Sequence, residues 1–353
     1  EISLGLVGSE MCIRDSIDNY EYLKPGNKEF FKKMGVDELI YPEMLAAHEV
    51  STALRRNWVR NWFELCNGEL IVVGVRLRDT AMILNKKLFE LTNADSYFHI
   101  AAIKRKHETI IPRGNDELKL GDIVYFTTTP DHIKDIRILT GKQEIDIKKV
   151  MIMGGSRIAV RIAACTPNDI KIKLIEIDRK KSYKLVEKMD DTIIIQGDGR
   201  DTELLKEEGI KDVDAFIALT DSSETNILAC LTAKEFGVRK TIAEVENIQF
   251  ISTAEGLNIG TIINKKLLAA SRIFQLLLAE DSSNAKCMAL ADAEVAELVA
   301  KEGSKITKAP IKELSLPKDL TIGGLIREGK GMIVTGNTHI QPNDHVVVFC
   351  LDT

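Results

Sequence analysis

From residue 148 to residue 278 the chain switches between two hydrophobic periods. Short apolar runs (KVMIMG, IKLIEID, TIIIQGD, AFIALTD and KTIAEVE) end in glycine or a carboxylate, and apolar residues recur at helical spacing between them. The helices are expected to run to Ala164, near Tyr183 to Met189, over ELLKEEG, and through Phe236. Strand–helix alternation of this kind predicts a parallel sheet with right-handed crossovers and a ligand crevice at the strand C-termini.

The pattern also repeats. Residues 37–50 (DELIYPEMLAAHEV) match residues 260–273 (GTIINKKLLAASRI) in character, at an offset of 223. DNYEYL parallels ENIQFI upstream, and AAIKR with LKLGDIVYF parallels GGLIR with IQPNDHVVVF downstream. Similarity at a nearly constant offset reads as a tandem duplication. The counterpart of the strand at Lys148 would then fall before residue 1, so the first copy is expected to be truncated at its N-terminus.

The predicted fold is α/β: a Rossmann-like parallel-sheet domain followed by a small α+β lobe, tandemly duplicated, with the first Rossmann-like unit incomplete. Residues 17–57 are expected to be the C-terminal remnant of that first unit, its last strand and helices. Residues 58–141 form the first small regulatory lobe, read as strand, helix, strand, hairpin, strand. Residues 148–280 form the second Rossmann-like domain, and residues 284–353 the second lobe. Lys142–Asp146 and Asp281–Asn284 serve as polar linkers. Trp58 and Trp62, four apart, read as a helical stripe that packs or meets a partner. The helix over residues 267–280 has an apolar face wide enough to suggest a subunit or inter-lobe interface. Residues 1–16 lack a basic segment and a long apolar core, so a signal peptide is not expected. They resemble a translated sequencing-adapter read-through and are expected to be a non-native tail.

Composition narrows the function by exclusion. The net charge is −5 and no basic run interleaves with aromatics, so nucleic acid is not an expected partner. No apolar stretch approaches the roughly 18 residues that cross a bilayer, so direct membrane insertion is not expected. The six cysteines show no C-x-x-C pair and read as free thiols in a reducing compartment. The histidines, His99, His107 and His345 among them, form no i, i+4 pair, and no metal site is expected.

The candidate chemistry lies at the first turn of the parallel unit. VMIMGGSRIA carries an apolar strand through Gly154, Gly155, Ser156, Arg157 and Ile158 into a helix, and Glu176 closes the next strand 22 residues after Gly154. Glycines permit the tight turn, the helix N-terminus faces a pyrophosphate, and the carboxylate takes ribose hydroxyls. Ser156 stands where the dinucleotide motif has its second glycine. Other polar groups fall at the strand C-termini: Asp198, a turn former or a ligand contact, then Thr220, Asp221 and Glu244. Asn226 reads as a cap or packing residue. No nucleophile or acid/base pair accompanies them, so the chain is expected to sense a nucleotide and not to be an enzyme.

GGSRIA, LIEID, QGDGRD with the following LLKEEGIKDVDAFIALTDSSETNILACLTAKEFGV, and IAEVEN resemble the nucleotide-binding domain of Trk-type potassium uptake regulators, also called KTN or RCK domains. The order of units, twice over, is similar to the tandem peripheral subunit of that family. The resemblance implies a cytoplasmic homo-oligomer, peripheral on the inner face of the cell membrane. It would dock beneath a membrane-embedded potassium-translocating subunit and be biased by NAD(H) or ATP/ADP. It places the phosphate turn at Gly154 to Ile158, the ribose contact at Glu176 and base-side contacts at Thr220 and Asp221. Glu244 falls where the family has an arginine that contacts ligand phosphate, and a carboxylate there repels it. Two other functions stay open: an NAD-dependent oxidoreductase using the same cradle, and a regulator of a different cation channel or antiporter.

Overall fold

The computed structural model describes residues 13–17, 20–93, 96–106, 108–280, 286–290 and 293–351. The chain opens with β1 (Ile13–Ser16), α1 (Pro25–Lys33), β2 (Val36–Ile40) and α2 (Pro42–Arg55). β1 and β2 pair in parallel, as a strand–helix–strand crossover requires. The first described strand thus lies inside the stretch of residues 1–16 expected to be a tail, and β2 falls within residues 17–57. A four-residue strand is too short to show a period of its own. Residues 1–12 and the linker at Asp281–Asn284 lie outside the described residues.

The first lobe contains β3 (Asn61–Leu65), β4 (Leu70–Arg76), α3 (Leu88–Leu91), β5 (Phe98–Arg105), β6 (Glu108–Ile110), β7 (Ile123–Thr128) and α4 (Ile133–Leu139). Its strands form one antiparallel sheet in the order β3-β4-β7-β5-β6. Here the helical reading of Trp58 and Trp62 fails. Trp62 lies on β3, and Trp58 in the turn after α2. Four-residue spacing fits either element, and NWFEL, rich in aromatics, favours the pleated surface. The Arg56 guanidinium sits 3.3 Å from the centre of the Trp62 ring, whose Nε1 donates to Glu64.

The parallel unit runs through β8 (Lys149–Met153), α5 (Arg157–Cys165), β9 (Lys171–Glu176), α6 (Arg179–Val186), β10 (Thr192–Gln196), α7 (Thr202–Glu207), β11 (Ala215–Ala218), α8 (Ser223–Glu235), β12 (Lys240–Glu244), α9 (Gln249–Gly256), β13 (Thr261–Ile263) and α10 (Lys265–Glu280). Its six strands are all parallel in the order β10-β9-β8-β11-β12-β13. That is the doubly wound order, in which strand order reverses between the first and fourth strands and leaves a crevice there. One apolar cluster covers each face. The cluster around Val150, Ile158 and Leu174 also takes in Ala46, Ala47 and Val50 of α2. Small residues on α2 let that helix lie close against α5, so it completes one face of the parallel unit.

β14 (Lys286–Leu290), β15 (Ala293–Val299), β16 (Leu320–Arg327), β17 (Lys330–Ile333) and β18 (His345–Leu351) make the last sheet, antiparallel in the order β14-β15-β18-β16-β17. This is the strand order of the first lobe again. The two sheets share an internal ion pair as well. Arg105 Nη2 lies 2.7 Å from Asp122 Oδ2, and Arg327 Nη2 lies 2.6 Å from Asp344 Oδ2. The same guanidinium nitrogens also donate to the carbonyls of Glu117 and His339. Each partner stands 222 residues from its counterpart, so the duplication is preserved atom for atom. The lobes pack on each other with related residues in contact: His99 Nε2 is 3.1 Å from Thr321 Oγ1, again 222 apart. Burial pushes the His99 imidazole down to about 4, so it is neutral at that contact.

The aspartates of the two pairs are only 2% and 3% exposed. Removing either arginine strands a buried carboxylate that otherwise keeps backbone N–H donors at Lys119 or Gln341. Arg105→Met and Arg327→Met should each cost about 2–3 kcal/mol in urea unfolding, by similar amounts. A loss below about 0.5 kcal/mol in either would show that the pair does not hold its sheet together.

Candidate nucleotide-binding site

The cradle is set by the turn between β8 and α5. Gly154 has φ +97°, and a side chain there would press on the Leu219 carbonyl 2.8 Å from an added Cβ. At Gly155 an added Cβ would collide with Leu185 of α6. Only glycine therefore lets the turn cross above β11. Ser156 is the N-cap of α5, its Oγ accepting from the Ala159 N–H at 3.3 Å. A serine in place of the motif's second glycine is accounted for by that cap.

Glu176 ends β9 beside this turn and is 4% exposed. Its Oε2 accepts from the Gly155 N–H and its Oε1 from the Asp178 N–H, both at 2.9 Å. Lys181 Nζ stands 3.0 Å from Oε2. Burial raises the carboxyl's pKa, but the Asp178 and Gly155 N–H groups and Lys181 outweigh it and hold it below the usual range. Glu176 is therefore ionised at neutral pH and ties the glycine turn to the neighbouring strand.

On the other flank, Thr220 follows β11. Its N–H and hydroxyl both reach Asn226 Oδ1, at 2.9 and 2.6 Å. Asn226 is fully buried, and its Nδ2 donates to the carbonyls of Thr220 and Glu244. It is a positioning residue joining the ends of two strands, a role the sequence reading missed. The signal was present in TDSSETN, where an asparagine one helical turn past an N-cap can reach back to the strand. Ser222 supplies that cap to the Thr225 N–H. Asp198 is engaged with Arg200, which donates to it from its backbone and from its guanidinium at 2.7 Å. Those bonds from Arg200 lower its pKa. Asp198 thus forms the turn, and Arg200 is presented beside it.

Two clefts flank the turn. One, of about 280 Å³, is lined by Gly154, Glu176, Lys181, Asp198, Arg200 and Thr220 among others. The other, of about 360 Å³, lies over Gly155, Ser156, Arg157 and Ile158 and is walled by Glu43, Asp221, Glu244 and Lys265. Lys181 lines both. All ten candidate residues thus fall at one end of the sheet, although Ile158 is 1% exposed and contributes backbone and packing only. Neither cleft is lined by a histidine or cysteine, and among the described residues no cluster suits a metal ion.

Glu244 is the anomaly. It is 4% exposed, and its Oε1 makes no hydrogen bond among the described residues. The Lys265 ammonium stands 3.5 Å away but is drawn also to Glu246. Burial, with Glu246 and Asp221 adding repulsion, raises the carboxyl's pKa despite Lys265.

The sequence profile of the TrkA-N domain matches residues 150–265, and that of the TrkA-C domain matches residues 72–140 and again 295–352. The chain belongs to the TrkA family. The two TrkA-C matches start 223 residues apart, the offset of the sequence repeat. Trk system potassium uptake protein TrkA of Haemophilus influenzae is 29% identical over 342 residues, spanning 95% of this chain and 75% of that protein. The protein of the same name from Azorhizobium caulinodans is 27% identical over 337 residues, spanning 94% and 74%. Among solved structures, the GsuK RCK domain aligns with a TM-score of 0.55 at 14% identity, over 96% of this chain and 72% of that one. A GsuK channel bound to NAD aligns at 0.53 and 15% identity, over 96% and 60%. At such identity these structures speak for the fold of this TrkA-family chain. Among its described residues no helix is long and apolar enough to cross a membrane.

A raised carboxyl pKa costs stability once the group ionises, so Glu244 weakens the fold as pH climbs above the ordinary carboxylate range. Glu244→Gln should melt higher than the parent at pH 8 and lose that advantage near pH 4. A melting difference that does not change with pH would mean that Glu244 stays fully ion-paired.

Proposed function

We propose that this TrkA-family chain is a non-catalytic, nucleotide-responsive regulatory subunit of a potassium uptake system. The observation that carries the reading is the cradle at Gly154–Ser156 and Glu176, whose two clefts are lined by no histidine or cysteine. The likeness in sequence to potassium uptake proteins named TrkA supports the client. The partner is a membrane-embedded potassium-translocating subunit, to which the chain docks from the cytoplasmic face as a homo-oligomer. Residues 148–280 act as the nucleotide domain. Residues 58–141 and 284–353 are the lobes through which a ligand-dependent shift is passed on, and residues 17–57 are the remnant that braces the nucleotide domain.

The residues present suit a dinucleotide better than a polyphosphate. Gly154 and Gly155 leave room for a pyrophosphate over the N-terminus of α5, where backbone N–H groups and the Ser156 cap gather. Glu176 takes the ribose hydroxyls, and its charge disfavours a 2′-phosphate. Thr220 and Asp221 serve as base-side contacts, with Asp198 holding Arg200 beside them. Glu244 stands by the phosphate turn, and its charge opposes ATP more than the less charged NAD. NAD(H) is therefore the preferred ligand, with ATP and ADP weaker. No histidine, the commonest proton donor or acceptor, lines either cleft, which supports binding without turnover.

Calorimetry with NAD, NADP and ATP, alongside an NADH-oxidation assay over a metabolite panel, tests each part. NAD should bind more tightly than NADP, and NADH should not be consumed. Glu176→Ala should weaken NAD about tenfold or more, the worth of a charge-assisted hydrogen bond. Glu244→Arg should strengthen ATP several-fold and NAD less. Steady NADH oxidation with any substrate would overturn the non-catalytic reading, and unchanged ATP affinity in Glu244→Arg would remove that residue from the phosphate site.

A further inference from the structure

Where the first lobe meets the parallel unit, six cationic side chains converge. Arg60 precedes β3, Arg76 ends β4 and Arg78 follows it; Lys142 leads out of the lobe; Lys234 comes from α8 and Lys240 from β12. Arg60 Nη2 donates to Asn258 Oδ1 at 2.8 Å, and Arg76 Nη1 donates to the Glu255 carbonyl at 3.1 Å. Lys234 donates to the Asn258 carbonyl, and Lys240 to Thr261 Oγ1 at 3.0 Å.

All these acceptors are neutral. The carboxylates whose charge reaches the group are Glu49 and Glu255, and Glu255 already pairs with Lys104 at 2.9 Å. Positive charge is therefore in excess at a partly buried seam. The consequence is visible on the lysines. Burial and then the neighbouring arginines bring Lys142 and Lys234 down to about 8, and burial with Arg60 brings Lys240 to about 7. The exposed Arg78 and half-buried Lys142 open the cluster to solvent. Because Lys240 starts β12 and Glu244 ends it, the cluster lies about 13 Å along the strand from the nucleotide cradle, at the opposite end of the strands.

We propose that this seam is a binding site for a multivalent oxyanion of the phosphate class, which enters between Arg78 and Lys142 and fastens the first lobe to the parallel unit. Such an ion supplies the charge that the neutral acceptors lack and leaves the dinucleotide cradle untouched.

Thermal unfolding of the full chain at pH 7 and constant ionic strength, with inorganic pyrophosphate against a chloride control, tests this. At tenfold excess over its Kd the probe should raise the parent's melting temperature by roughly 2–4 °C. Without the probe, Arg78→Met and Lys142→Met should melt at or above the parent, because a repelling charge is gone, and each should lose at least half of the rise. Ser156→Asp, which keeps the helix cap but bars phosphate from the glycine turn, should retain the rise. The proposal is overturned if pyrophosphate does not stabilise the parent. It is overturned equally if Ser156→Asp abolishes the rise, which would put the ion at the glycine turn. A rise that survives in both Arg78→Met and Lys142→Met would also remove the site from this seam, and so would an Arg78→Met that melts below the parent with its rise intact.

Discussion

One carboxylate accepts two backbone N–H groups, and the functional end of this molecule depends on it. Glu176 ties the Gly155 turn of one strand to the Asp178 corner of the next, both at 2.9 Å. The turn can lie that close only because Gly154 and Gly155 have no side chains. The same carboxylate is the group that a ribose would engage. Under the proposed function, a ligand would act on a bond that already shapes the turn. On the opposite flank Asn226 does the corresponding work, locking Thr220 to the carbonyl of Glu244.

The duplication explains how such a change could reach the rest of the chain. The two antiparallel lobes repeat one strand order and one arginine–aspartate pair, and they meet through related residues at His99 and Thr321. The parallel unit, in turn, buries α2 of the first copy against α5, the helix that starts at the cradle. Among the described residues, each unit is thus in contact with a unit of the other copy. α5 packs against α2, and α2 leads directly into the first lobe.

Much of this was legible in the sequence because buried parallel strands leave short apolar runs, and glycines mark the turn between them. The offset of the repeat likewise announced a shared fold for the two lobes. Legibility failed where an element is short or its role is set by distant partners. β1 has four residues and no period. Trp62 sits on a strand because β4 pairs with it, a fact its spacing from Trp58 cannot carry. Asn226 looked like a packing residue because its four hydrogen bonds go to residues 6 and 18 positions away. The cationic seam was invisible, since its members are scattered from Arg60 to Lys240 and only the fold gathers them.

Amide hydrogen exchange with and without NAD tests the central claim most directly, because it reports where the nucleotide acts without assuming any residue's role. The account predicts that NAD slows exchange at residues 154–158, 176–178 and 220–222, at the C-terminal end of the parallel sheet. Protection confined to residues 72–140 and 295–352, with the glycine turn unchanged, would contradict it.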